Sequence, residues 1–116
     1  VSIRVITEDV ASVDLPGNTA TDLLGSGTDG LDTAGADVLS VAVKNLDGAN
    51  AIGTIAVYEI NGALSAAKGS NYGSLAAGAT VFIHLTAVDF ERVRVVATSA
   101  SGASAQVSAR GFRTSR

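Results

Sequence analysis

Two stretches decide the fold: Thr80-Val81-Phe82-Ile83-His84-Leu85-Thr86-Ala87-Val88 and Arg92-Val93-Arg94-Val95-Val96-Ala97-Thr98-Ser99. In the first, Val81, Ile83, Leu85 and Ala87 alternate with Phe82, His84 and Thr86. In the second, Val93, Val95 and Ala97 alternate with Arg92, Arg94, Val96 and Thr98. A period of two over seven or more residues, carried by residues branched at Cβ, is the pattern of a strand with one buried face.

The same pattern repeats along the chain. Asp37–Leu46 sets Leu39, Val41 and Val43 inward against Ser40, Ala42 and Lys44. Ala103–Gly111 sets Ala105, Val107 and Ala109 inward. Ser2–Val10 alternates Ile3 and Val5 with Arg4, Ile6 and Glu8, and Ala51–Ile60 reads as a further strand. Thr19–Leu24 suits a short strand, and Ala63–Ala67 fits either a return strand or one helical turn. Between these segments lie turn formers: Asp14-Leu15-Pro16-Gly17-Asn18, Asp47-Gly48-Ala49-Asn50, Asn61-Gly62 and Ser101-Gly102. Asn61-Gly62 predicts a type I′ hairpin, and Ser101-Gly102 predicts a second hairpin. The longest expected loops are residues 25–37 and 68–79. Seven or eight short strands and no convincing helix predict a single antiparallel β-sandwich, immunoglobulin-like or jelly-roll-like, over residues 1–116.

The composition suits that architecture and is poor in reactive groups. Ala, Val, Ser, Thr and Gly supply 69 of the 116 residues, while Cys, Met and Trp are absent and there is one His. Without cysteine there is no disulfide framework and no thiolate metal site. A net charge of −3 argues against a nucleic-acid binder, and no apolar run is long enough for a membrane-spanning helix. The opening Val-Ser-Ile-Arg lacks a secretion-leader core. Charge is uneven: residues 1–58 carry −6 and residues 59–116 carry +3. Polarised halves suit head-to-tail contacts between copies, unless the two halves interleave in the sandwich and cancel.

The groups able to carry chemistry are scattered. His84 sits mid-strand, where an outward-facing residue is expected rather than a catalytic base, and no G-x-S-x-G elbow is present. Asp22, Asp29, Asp32 and Asp37 surround a glycine-rich loop and could supply oxygen ligands to calcium, yet their spacing is not that of an EF-hand and turn formation accounts for them. Gly25-Ser26-Gly27 and the segment from Gly69 to Gly78 do not open a helix, as a phosphate loop must. No metal, cofactor or catalytic residue is expected, and the chain is read as not an enzyme. Arg110, Phe112, Arg113 and Arg116 form a basic C-terminal arm, with Phe112 as an apolar anchor. Residues 110–116 are expected to move freely until docked. Arg92 and Arg94 project from one face of a strand and extend the candidate interaction set.

Leu75-Ala76-Ala77-Gly78-Ala79-Thr80-Val81-Phe82-Ile83, Phe90-Glu91-Arg92-Val93-Arg94-Val95 and Ser99-Ala100-Ser101-Gly102 resemble small β-sandwich virion proteins of tailed bacteriophages, in which an AAG turn leads into one strand and a VRV strand into a glycine hairpin. The resemblance covers about thirty residues. It implies a capsid decoration or cement protein, a homo-oligomer (dimer or trimer) seated on a larger assembly such as a major capsid protein, and a place in the virion after assembly in the host cytoplasm. The alternative is a glycan- or receptor-binding module of a fibre or adhesin, which requires Tyr58 or Tyr72 exposed in a concavity.

Overall fold

A computed structural model describes residues 2–24, 30–69 and 71–114. Among the described residues there are nine strands: β1 (Ser2–Leu15), β2 (Thr21–Asp22), β3 (Leu31–Asp32), β4 (Val38–Asn45), β5 (Thr54–Asn61), β6 (Leu64–Ala67), β7 (Thr80–Leu85), β8 (Arg92–Thr98) and β9 (Ala103–Thr114). One sheet has the order β1-β9-β4-β7. The other has the order β2-β8-β5-β6, with β3 also on β8. Every strand pairing is antiparallel. The chain is a β-sandwich, and its core lies where the inward rows of the two sheets meet.

Alternation builds that core. Leu39, Val41 and Val43 of β4, Ile83 and Leu85 of β7, and Ala105, Val107 and Ala109 of β9 are buried in the first sheet. Ile55 and Val57 of β5 and Val93, Val95 and Ala97 of β8 close on them from the second. The buried Ala residues of β9 keep its inward face thin. Removal of this apolar surface from water, at about 25 cal/mol per Å², is the main stabilising term.

Three buried polar residues are each satisfied. Asn45, fully buried, donates from Nδ2 to Asn50 O (2.9 Å) and Leu75 O (3.1 Å) and accepts the Asp47 N–H at Oδ1 (2.9 Å). Ser99 donates to Ala51 O, and Thr33 donates to Phe90 O. These bonds fasten loops to the sandwich, where an unpaired polar group would cost about 1–3 kcal/mol.

Several expectations change. β1 runs to Leu15, and its register slips between Arg4 and Ile6 and again between Val10 and Val13. The first bulge breaks the simple alternation of Ile3 and Val5 with Ile6, and Ile6 packs over Gly111 instead. The Asn61-Gly62 hairpin exists, but its register pairs Asn61 with Leu64, so the loop residues are Gly62 and Ala63. Gly62 has φ +58°, whereas Asn61 and Ala63 do not have positive φ, which is the pattern of a type II′ turn rather than type I′. Ala63–Ala67 resolves as the return strand β6. Ser101-Gly102 is not a hairpin: β8 and β9 lie in different sheets, and this turn carries the chain across the sandwich. Asn50 Nδ2 holds the crossing at Gly102 O (2.8 Å), and Gly102 has φ +91°.

The expected free arm is also corrected over residues 110–114. These residues continue β9, which is flanked by β1 on one side and β4 on the other. β1 pairs with them throughout and β4 pairs with them as far as Phe112, so a free arm would leave both ladders short. Arg116, Asp29 and Gly25-Ser26-Gly27 lie outside the described residues.

Candidate interaction surface

The outer face of the β1-β9-β4-β7 sheet is built in cross-strand rows. Directly opposite residues in antiparallel strands project to the same side, so the register fixes each row. One row is Arg4, Phe112 and Val38; the next is Thr7, Arg110, Ser40 and His84; the third is Asp9, Ser108, Ala42 and Phe82. The face is therefore apolar and aromatic toward β7 and charged toward β1.

Phe82 is 62% exposed and stacks on His84, with ring centroids 6.3 Å apart and planes 13° from parallel. Both rings belong to one edge strand, at positions two residues apart. Ala42 beside Phe82 is small, so the Phe82 ring stands free on that side. Beyond His84, the residues Val38, Ser40, His84, Leu85, Thr86 and Phe112 line a shallow cavity of about 460 Å³. Phe82 and the hollow lie on the same face, with His84 between them.

At the charged end, Arg110 grips Asp9 with both Nη atoms, at 2.9 and 3.1 Å, and Ser108 Oγ donates to the same carboxylate at 2.7 Å. The hydrogen bond from Arg110, then that from Ser108, holds the Asp9 carboxyl below the ordinary carboxylate range. The pair is solvent-exposed, so its role is to set the side-chain arrangement of β1 on β9 more than to add stability.

The candidate interaction residues do not form one patch. Arg110 and Phe112 share the face just described. Arg92 and Arg94 belong to β8, on the outer side of the opposite sheet. Arg94 binds Asp22 through Nε (2.8 Å) and Nη2 (3.2 Å), and its guanidinium lies over the Tyr58 ring, 5.9 Å from the centroid. The Asp22 hydrogen bond raises the Arg94 pKa above its ordinary value. Arg92 donates from Nη2 to Gly62 O at 2.7 Å, which fastens β8 to the β5–β6 turn. Arg113 pairs with Ile3 in register at the exposed end of the ladder.

The polarised halves meet inside one chain. Asp9 and Asp22 from the acidic half bind Arg110 and Arg94 from the basic half, because β1 lies on β9 and β2 lies on β8. The aspartates near the glycine-rich loop are dispersed: Asp22 is on Arg94, Asp32 accepts the Ala34 N–H, and Asp37 accepts the Thr114 N–H. Among the described residues, no three His, Asp or Glu side chains converge as a metal site would require. Tyr58 is capped by Arg94, and Tyr72 packs against the core.

Phe82, Val38 and Ala42 were not among the sequence-derived candidates. Phe82 had a readable signal, since it is an aromatic residue on the polar side of an alternating strand. Val38 and Ala42 had none, because only the strand register brings them beside Phe112 and Phe82.

No family model matches the chain, and no curated protein matches it. Among solved structures it is similar to one described as Bacillus endospore appendages that form a novel family of disulfide-linked pili. That match has a TM-score of 0.43 and 15% identity, and covers 94% of this chain and 88% of the other. A likeness at that level carries no argument about what this chain does.

Proposed function

We propose that this chain is a non-enzymatic structural protein that works through its surface in a repeated assembly, and that the assembly is a bacteriophage particle on which it acts as a decoration protein. The observation that carries the reading is the outer face of the β1-β9-β4-β7 sheet. That face presents an exposed Phe82, the stacked His84 and the hollow beside Phe112 on a rigid sheet, while Asp9, Ser108 and Arg110 at its other end are tied to one another. A surface of this kind gains free energy by being covered, and many copies on a regular lattice add avidity to a modest contact.

The local conformations of the segments that resemble phage virion proteins support the particle-specific part. Ala76-Ala77-Gly78 forms a turn, closed by the Ala79 N–H on Ala76 O (3.0 Å) with Gly78 at φ +76°, and it leads directly into β7. The Val93-Arg94-Val95 stretch is a strand that ends in a glycine turn, although that turn crosses between sheets.

The test measures mass by light scattering over a concentration series, together with co-sedimentation on purified phage heads. Multimers in solution, or saturable binding to heads, are expected. A strict monomer that leaves the heads in the pellet alone overturns the reading. Binding to immobilised glycans with no affinity for heads would move the function to a receptor-binding module.

A further inference from the structure

We infer that β7 is a self-pairing edge: two copies join antiparallel through Thr80–Leu85, about a two-fold axis at Phe82, to make one continuous sheet. The inference rests on the surface-assembly reading above and names the interface that would serve it.

The hydrogen-bond pattern shows what β7 leaves unpaired. The Asn45 N–H donates to Ala79 O and the Gly78 N–H donates to Asn45 O, so Asn45 turns both backbone groups toward this strand, with Gly78 and Ala79 bulged opposite it. The register runs without interruption from Lys44 opposite Thr80 to Leu39 opposite Leu85. Antiparallel ladders alternate bonded and non-bonded pairs, so Val81, Ile83 and Leu85 direct their N–H and C=O groups at β4. Thr80, Phe82 and His84 direct theirs outward, where no described strand lies.

The other sheet edges carry features that discourage pairing. β1 has two register slips and the charges of Arg4, Glu8, Asp9 and Asp14. β2 and β3 are two residues each. β6 is four residues long and runs into Lys68. Short strands, bulges and charges are the devices by which sheets avoid edge-to-edge contact. β7 has none of them: it is six residues long, in unbroken register, and free of Pro, Lys, Arg, Asp and Glu.

A second copy of this chain matches the edge in geometry and charge. With the axis at Phe82, the outward groups of Phe82 meet those of its own counterpart, and Thr80 meets His84 of the second copy. Each of these positions then exchanges both bonds, as in an ordinary antiparallel ladder. Because the side chains of the pairing strand are uncharged or imidazole, no like charges from acids or lysines face each other. The two exposed Phe82 rings become a cross-strand aromatic pair, which covers the most exposed large apolar group on this face. The interface is isologous and closes at two copies, so the free β1 edges remain outside.

Two variants leave the fold's own ladder intact. His84→Pro removes an N–H that points away from β4, and proline is tolerated at such positions on an edge strand. Phe82→Lys places a charge opposite its own counterpart. The assay combines sedimentation equilibrium with residue-resolved amide exchange on the wild-type chain and both variants. The expected result is a concentration-dependent dimer in which the Phe82 and His84 amides are protected at high concentration and exposed on dilution. Val81, Ile83 and Leu85 should stay protected throughout, and either variant should lower association at least tenfold.

Multimers that persist unchanged in both variants, or amides at Phe82 and His84 that exchange freely in the multimer, overturn the β7 interface and leave the assembly reading standing. A monomeric wild type that binds heads also overturns it, and protection of Phe82 and His84 only on the heads would assign the edge to a different chain. A monomer that binds nothing removes both.

Discussion

Replacing Asn45 by Ala removes three hydrogen bonds from a fully buried side chain: Nδ2 to Asn50 O, Nδ2 to Leu75 O, and the Asp47 N–H to Oδ1. Leu75 O keeps the Ile52 N–H as a second partner, so its loss is partial. At about 1 kcal/mol net per bond, with the Asp47 amide left without its acceptor, the substitution should cost about 3–4 kcal/mol. A domain of this size has about 5–15 kcal/mol in total, and each kcal/mol moves its Tm by about 4 °C, so a fall of about 12–16 °C is expected. Urea unfolding reads the loss directly, with an unchanged m value as the sign that the folded core is intact. Lys44→Ala, one residue away on the exposed face, should stay within about 0.5 kcal/mol and serves as the control. Amide exchange should show the loosening in two connections at once, residues 46–50 and 75–79, because Asn45 ties one to the other. A loss below about 1 kcal/mol in Asn45→Ala would refute the assignment of Asn45 as the residue that joins them.

Gly111→Ala should destabilise by about 1–3 kcal/mol in urea, because a Cβ there meets Ile6 Cβ and Cδ1 at 2.8 Å; combining it with Ile6→Ala should recover part of that loss, and strict additivity would sink the steric account. Gly62→Ala, at φ +58°, should lower the Tm measurably where Gly62→Asn costs less, and equal effects would contradict the turn assignment. Asp9 has a folded-state pKa below its ordinary value, set first by Arg110, so its stabilising contribution is present above the unfolded carboxylate pKa and fades as pH falls through the folded one. The hydrogen bonds from the Asn50 and Ala49 amides to Asp47 act in the same direction. Urea midpoints followed from about pH 6 down to about pH 2 should therefore decline less steeply in Asp9→Asn than in the wild type, and superimposable slopes would remove the Arg110 pair from acid sensitivity.

The local order of this chain was legible in its residues. Alternation at Leu39, Val41, Val43, then Ile83 and Leu85, then Val93, Val95 and Ala97, marked both the strands and the buried side of each. Side-chain direction along a strand has a period of two, so a single sequence carries that information. The turn positions were legible as well, since Asp, Asn and Gly satisfy backbone conformations that other residues resist. Partner choice was not. Ser101-Gly102 reads like a hairpin, yet β8 and β9 part to different sheets, because a turn fixes local direction and not which face of the core the next strand joins.

The C-terminal residues show the same divide. Arg110, Phe112 and Arg113 read as a free basic arm because nothing local holds them. In the fold, β1 and β4 take up both sides of β9, and Arg110 acquires Asp9 from the far end of the chain. The opposite charges of the two halves were visible in the sequence, but their cancellation required the long-range pairing of β1 with β9 and β2 with β8. By itself the sequence determined the class of fold, the inward rows and the poverty in reactive groups. Only tertiary structure decided which outward residues become neighbours and which edge is left bare. Register and sheet order are set by contacts between segments up to about a hundred residues apart, and no local pattern encodes them.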